Sequence, residues 1–136
     1  MDQVLLVAGF TVLGLLGAIH LIYTFLTDKF SPHDATVADA MKSTSPRLTK
    51  DTSMWNAWVG FNASHSLGLM LLSATYIPLT LCHFEAVESS LWFSILPVAA
   101  GSIYLCLAYR YWFKIPFWGI LVALVCFVGS ALLIHV

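Results

Sequence analysis

Charge is scarce in this sequence. Of 136 residues, 10% are Asp, Glu, Lys or Arg, and the formal net charge is -1. That balance leaves no basic footprint for nucleic acid, whose affinity rests on Lys and Arg neutralising phosphates. Cysteine is scarce as well. Cys82, Cys106 and Cys126 lie far apart with no C-x-x-C pair, so they read as small apolar fillers rather than a redox motif. Met1-Asp2-Gln3 lacks the positive charge that opens a secretory signal, and no small-x-small cleavage pattern follows. The expectation is therefore a retained apolar span at the start. No lipidation motif is evident, since Cys82 is internal and the chain ends Ile134-His135-Val136.

Apolar residues make up 60% of the chain, and mean hydropathy is +0.86. A small soluble domain could not bury that much apolar surface, so the bilayer is the natural solvent. Four segments reach the roughly 20 apolar residues that a spanning helix needs, at about 3–27, 54–82, 91–112 and 116–135. The sequence thus predicts a single all-α domain, a polytopic membrane protein built as a four-transmembrane-helix bundle. A polar connection, 28–53, joins the first two spans. His83 to Ser90 forms a short second connection, and a tight turn around Lys114-Ile115-Pro116 forms the third.

The few charges are sorted by side. Lys29, Lys42, Arg47 and Lys50 lie in the first connection, and Arg110 and Lys114 flank the third. The opposite side carries Asp2, Glu85 and Glu88 with no Lys or Arg. The positive-inside rule then puts the basic connections in the cytoplasm and both termini on the periplasmic or extracellular side. Tyr23, Trp55, Trp58, Tyr109, Tyr111, Trp112 and Trp118 crowd the inner interface, as amphipathic rings prefer; Trp92 and Phe84 sit near the outer one. Within the first connection, Val37, Ala38 and Met41 form one apolar stripe. Asp34 and Asp39 sit toward its start and Lys42 toward its end. This pattern reads as a short amphipathic cytoplasmic helix on the membrane surface, with a solvated loop as the alternative. Thr52 or Ser53 can cap the second span.

The second span holds "GFNASHSLG". At 100° per residue, Asn62, Ser66 and Ser73 share one face, with His65 and Trp58 at its edge. Gly60, Ser64 and Gly68 recur every fourth residue on nearly the opposite face. They form a small-residue groove for close helix packing, inside the monomer or between copies. Asn62-Ala63-Ser64 matches a glycosylation acceptor, but a membrane span puts it out of the transferase's reach.

His20 of the first span lies eight residues before Asp28, about 12 Å below the inner boundary. His65 lies twelve residues after Ser53, about 18 Å along the returning helix. The two imidazoles therefore occupy similar depths, and a shared pocket bordered by His20, Tyr23, Trp58, Asn62, His65 and Ser66 becomes the candidate site. Ser102, Gly101 and Tyr104 of the third span lie at comparable depth. The competing reading is two separate core histidines, each hydrogen-bonded to a neighbouring helix. Polar groups at this depth are functional candidates because burial in hydrocarbon is costly.

Several chemistries compete for such a pocket. A lipid, isoprenoid or sterol-like molecule would suit an apolar cavity with few polar groups. The spans could instead dock a membrane partner, as a homo-oligomer or within a larger complex. Two facing histidines could ligate b-type haem. Zinc would want three or four ligands, and no Cys, Asp or Glu stands at that depth, so no metal is assigned. His83, Glu85 and His135 could form an outer-face site of generic spacing. A histidine-dependent enzyme or small transporter is the alternative class, with His33-Asp34 as a candidate pair. Pro78 and Pro97 interrupt their spans, where they can kink a helix or simply pack.

"HLIYTF" (20–25) followed by "SPHDATVADAMKSTSPRLTKDTSMWNAWVGFNASHSLG" (31–68) resembles a family of small four-span bacterial inner-membrane proteins with no assigned activity. The specific part is "TSMWNAWVGFNASHSLG". The resemblance implies the four-span fold and a bacterial inner-membrane location, and implies no catalytic residue.

Overall fold

The computed structural model describes all 136 residues. It is all-helical: α1 (Asp2–Leu26), α2 (Ala35–Ser43), α3 (Met54–Cys82), α4 (Phe84–Ser89), α5 (Leu91–Tyr111) and α6 (Lys114–His135). α1, α3, α5 and α6 are each long and apolar enough to cross a membrane. At 1.5 Å per residue, the 21 residues of α5 already rise about 30 Å, the thickness of a hydrocarbon core. Four such helices mark a multi-pass membrane protein.

The element boundaries follow local chemistry. Ser53 rather than Thr52 caps α3, its Oγ accepting from the Asn56 N–H at 3.2 Å. Asp34 caps α2 in the same way, and α2 covers the predicted amphipathic stretch. Its Val37 is exposed and nothing in it is buried. Two expectations need correction. His83–Ser90 is not a plain connection, because Phe84–Ser89 forms a helical turn and a half whose Val87 is fully buried. The third turn is not at Lys114-Ile115-Pro116 either. It consists of Trp112 and Phe113, and α6 starts at Lys114. Pro116 fits there because the first turn of a helix has no intrahelical use for its N–H.

The chain divides into two compact units, residues Met1–Leu16 with Leu69–Val136, and residues Gly17–Gly68. The core of the first draws on all four long helices. Phe10 is wholly buried, stacked on Tyr76 at 4.5 Å and tilted against Phe127 at 4.6 Å. Leu6, Leu13, Leu69, Ile120 and Ala123 close around these rings. Gly9 makes the approach of α1 to α6 feasible: a Cβ there would collide with the Phe127 ring and lie 3.1 Å from the Ala123 carbonyl oxygen. Gly101 likewise faces Leu124 and Phe127 and belongs to α5–α6 packing.

Pro97 is buried in α5, and lacking an N–H it cannot bond the Phe93 carbonyl one turn earlier. The Tyr76 hydroxyl fills that role, donating to Phe93 O at 3.2 Å. A buried polar tip and a freed backbone acceptor thus satisfy each other, the compensation a proline needs inside a membrane helix.

The second unit consists of the last turns of α1, the connection with α2, and the first half of α3. It contains every side chain of the candidate pocket.

Candidate functional site

His20 Nε2 lies 2.9 Å from Asn62 Oδ1. The orientation of the amide follows from its other end, where Asn62 Nδ2 donates to the Trp58 carbonyl at 2.8 Å. Oδ1 is therefore the acceptor facing His20, and the proton of the bond sits on Nε2. In the neutral ring Nδ1 is left as the acceptor. The His65 ring stands edge-on to His20 with centroids 5.4 Å apart. The helical register that sets Asn62 and His65 three residues apart on α3 brings both to His20. Thr24, one turn beyond His20, donates its hydroxyl to the His20 carbonyl at 2.8 Å.

Phe30 completes the group, and sequence reasoning missed it. Its ring lies 4.4 Å from that of His20 and 6.2 Å from that of Tyr23. Its carbonyl accepts from Trp58 Nε1 at 3.0 Å. The indole of α3 thus pins the backbone of the connection while Phe30 rests on α1. The available signal was a lone aromatic inside the polar string "DKFSPHD". Tyr23 stands beside this contact, with Lys29 Nζ 5.7 Å from its ring centre.

A small cavity of about 30 Å³ lies among Thr24, Thr27, Phe30, Ser31, Trp55, Trp58, Val59 and Asn62. Such a volume admits about two water-sized groups. The polarity of its walls is informative. Trp58 Nε1 and Asn62 Nδ2 are both bonded to carbonyls, and Thr24 and Thr27 donate their hydroxyls to the His20 and Tyr23 carbonyls. The Ser31 hydroxyl, the Trp55 indole N–H and the second Nδ2 hydrogen of Asn62 remain as donors beside these oxygen lone pairs. A group entering the cavity meets both donors and acceptors.

Of the predicted pocket residues only Trp58 and Asn62 line this space; His20, Tyr23, His65 and Ser66 do not. Ser66 is fully buried, and its hydroxyl donates to the Asn62 carbonyl at 2.9 Å, so it braces α3 behind Asn62. Gly60, Ser64 and Gly68 all lie on the exposed face. Nothing approaches within 4 Å of a Cβ built on Gly60, so that end of the groove does not serve packing inside the chain. Ser102 returns its hydroxyl to the Val98 carbonyl, and Tyr104 packs on the core of the first unit.

The other sequence candidates separate. His135 Nε2 lies 2.7 Å from Ser94 Oγ, while His83 and Glu85 line an open recess of about 650 Å³ with Gln3 and Glu88. No three His, Cys, Asp or Glu side chains gather closely enough to hold a metal ion. His33-Asp34 is a helix start: Asp34 accepts from the Thr36 N–H at 2.8 Å and from its hydroxyl at 2.7 Å. These bonds hold the Asp34 carboxyl below the usual carboxylate range, the Thr36 side chain contributing most. Haem does not fit the histidine pair. The rings touch edge to face with no slab between them for a macrocycle, and His20 Nε2 is held by Asn62.

Comparison with protein-family models, with curated proteins and with solved structures found no match.

Proposed function

We propose that this protein binds a small amphiphile at the cavity beside the His20–Asn62 contact, without catalysing a reaction on it. The observation that carries this reading is the pattern of donors around the small cavity. Trp58, Thr24 and Thr27 have given their hydrogens to carbonyls, while the Ser31 hydroxyl, the Trp55 indole N–H and one Asn62 amide hydrogen have not, so the walls offer both lone pairs and donors. A hydroxyl head, which both donates and accepts, would be satisfied there. The cavity has room for the head alone. The apolar body of the ligand would then lie along the exposed side chains around it, such as Ile22, Phe25 and Phe61. A long-chain or polycyclic alcohol of the isoprenoid or sterol kind has this shape.

The sorted charges support an inner-leaflet position for the pocket, with both termini outside, and the resemblance in residues 20–25 and 31–68 favours a bacterial plasma membrane. In this reading His20 holds Asn62 at the edge of the head pocket, and Phe30 and Trp58 form its closure.

The test is retention. Wild type, His20→Ala and His65→Ala are purified in mild detergent and their extractable lipids compared, with circular dichroism and gel filtration as folding controls. A discrete amphiphile held by wild type and lost from folded His20→Ala supports the reading. Equal retention by all three folded proteins removes it.

A further inference from the structure

The second unit is not the only place suited to a ligand. In the first unit, α5 ends at Tyr111 and α6 begins at Lys114, with only Trp112 and Phe113 between. Both helices are long and apolar enough to cross a membrane, so this hairpin lies at the end of two spans, at headgroup level. An open cleft of about 210 Å³ is found there, lined by Ala108, Tyr109, Trp112, Phe113, Lys114 and Phe117.

We propose that this cleft binds the phosphate headgroup of an anionic phospholipid, with Lys114 as its charged contact and the aromatic rings as its walls. Lys114 is the one charged residue lining the cleft, and Arg110 in the last turn of α5 adds a second charge of the same sign. Neither has a carboxylate partner. The ion pairs of the molecule are Met1 with Asp2 and Lys42 with Asp39. Glu85 and Glu88 precede α5, whose length separates them from its C-terminal end by about 30 Å. Two unpaired cations at headgroup level are complementary to lipid phosphate.

The walls account for the rest of the ligand. Phe117 packs on Tyr109 at 6.3 Å and on Trp118 at 5.6 Å, so the apolar side of the cleft is already formed. Rings of this kind favour the zone where headgroup meets acyl chain. A free inorganic anion would use the cation and leave the rings idle; a phospholipid uses both. No side chain caps α6 at Phe113, so its first backbone N–H groups add to the attraction for an anion.

The experiment offers delipidated full-length protein equimolar phosphatidylglycerol and phosphatidylcholine and counts bound lipids by native mass spectrometry. Wild type is expected to prefer phosphatidylglycerol. Lys114→Gln is expected to lower that preference roughly five-fold, the worth of one cation at an anionic surface, and Lys114→Arg to restore it. Equal retention of the two lipids by wild type, or an unchanged preference in folded Lys114→Gln, overturns the proposal. If inorganic phosphate displaces the lipid and itself raises the melting temperature of lipid-free protein, the site is one for free phosphate and the lipid assignment falls. His20→Ala is expected to keep the preference, so this site and the His20 pocket stand or fall separately.

Discussion

His20 Nε2 and Asn62 Oδ1, 2.9 Å apart, join two membrane-spanning helices through polar side chains forty-two residues apart in sequence. A contact of this kind stabilises a membrane protein by only about 0.6 kcal/mol on average. Its larger consequence is chemical. Because Asn62 Nδ2 is anchored on the Trp58 carbonyl, the amide cannot flip without losing a bond, and His20 is held as the Nε2–H tautomer when neutral.

That tautomer is directly observable. Nitrogen-15 NMR of histidine-labelled protein above neutral pH should show a protonated Nε2 and an unprotonated Nδ1 on His20. Asn62→Leu should release the ring to a mixture of tautomers, at a stability cost of about 0.6 to 1.7 kcal/mol. A proton on Nδ1 in wild type would contradict the assigned orientation.

Trp58 closes the same site by donating to the Phe30 carbonyl at 3.0 Å. Trp58→Phe keeps a ring and deletes the donor. A bond of this type contributes about 1 kcal/mol, so amide exchange in residues 28–33 should quicken roughly five-fold while the rest of the chain is unaffected. Unchanged exchange there would mean that Phe30 is held by its ring alone.

Tyr76 and Pro97 should behave as a coupled pair. Tyr76→Phe leaves the Phe93 carbonyl without its donor and should cost about 1 kcal/mol. In a Pro97→Ala background the alanine N–H can take that carbonyl, so the same change should cost much less. Additive effects in a denaturant-based double-mutant cycle would break the proposed compensation.

Two glycines should respond oppositely to alanine. At Gly9 the new methyl meets the Phe127 ring and the Ala123 carbonyl, and overpacking of this kind costs roughly 1–3 kcal/mol. At Gly60 it meets nothing, and stability should hold or rise slightly. Thermal unfolding in detergent compares them.

Much of this arrangement was legible because helical periodicity carries depth and face. The four spans, a cap at Thr52 or Ser53 and the similar depths of His20 and His65 all follow from reading residues along helices. What periodicity does not carry is the path of a connection. Phe30 reaches His20 only because the chain turns back after Leu26, and nothing in the sequence marks Trp58 as the tether of that connection. Ser66 shares the Asn62 face of the wheel, yet a serine in a helix can satisfy itself on the carbonyl four residues back, as it does here. α4 is too short to show a period at all.

Asp34 provides the pH dependence. Its carboxyl is held below its ordinary value of 3.8 by the Thr36 hydroxyl and N–H. A depressed carboxylate contributes stability that is fully present above the unfolded value and is lost as pH falls through the folded one. The start of α2 should therefore stay intact down to about pH 3.8 and loosen only below it. The Thr36 amide proton, followed by NMR, should shift in that lower window; a transition centred above it would contradict the cap.

The central claim is that the cavity beside the His20–Asn62 contact holds a ligand, and that the contact does more than join two helices. Native mass spectrometry of the full-length protein, extracted gently from its own membrane, tests this most directly when wild type is set beside Asn62→Leu. The account predicts a discrete extra mass on wild type, matching an alcohol amphiphile, that is absent from the folded variant. A bare mass for wild type across several mild detergents, or the same adduct on both proteins, would contradict it.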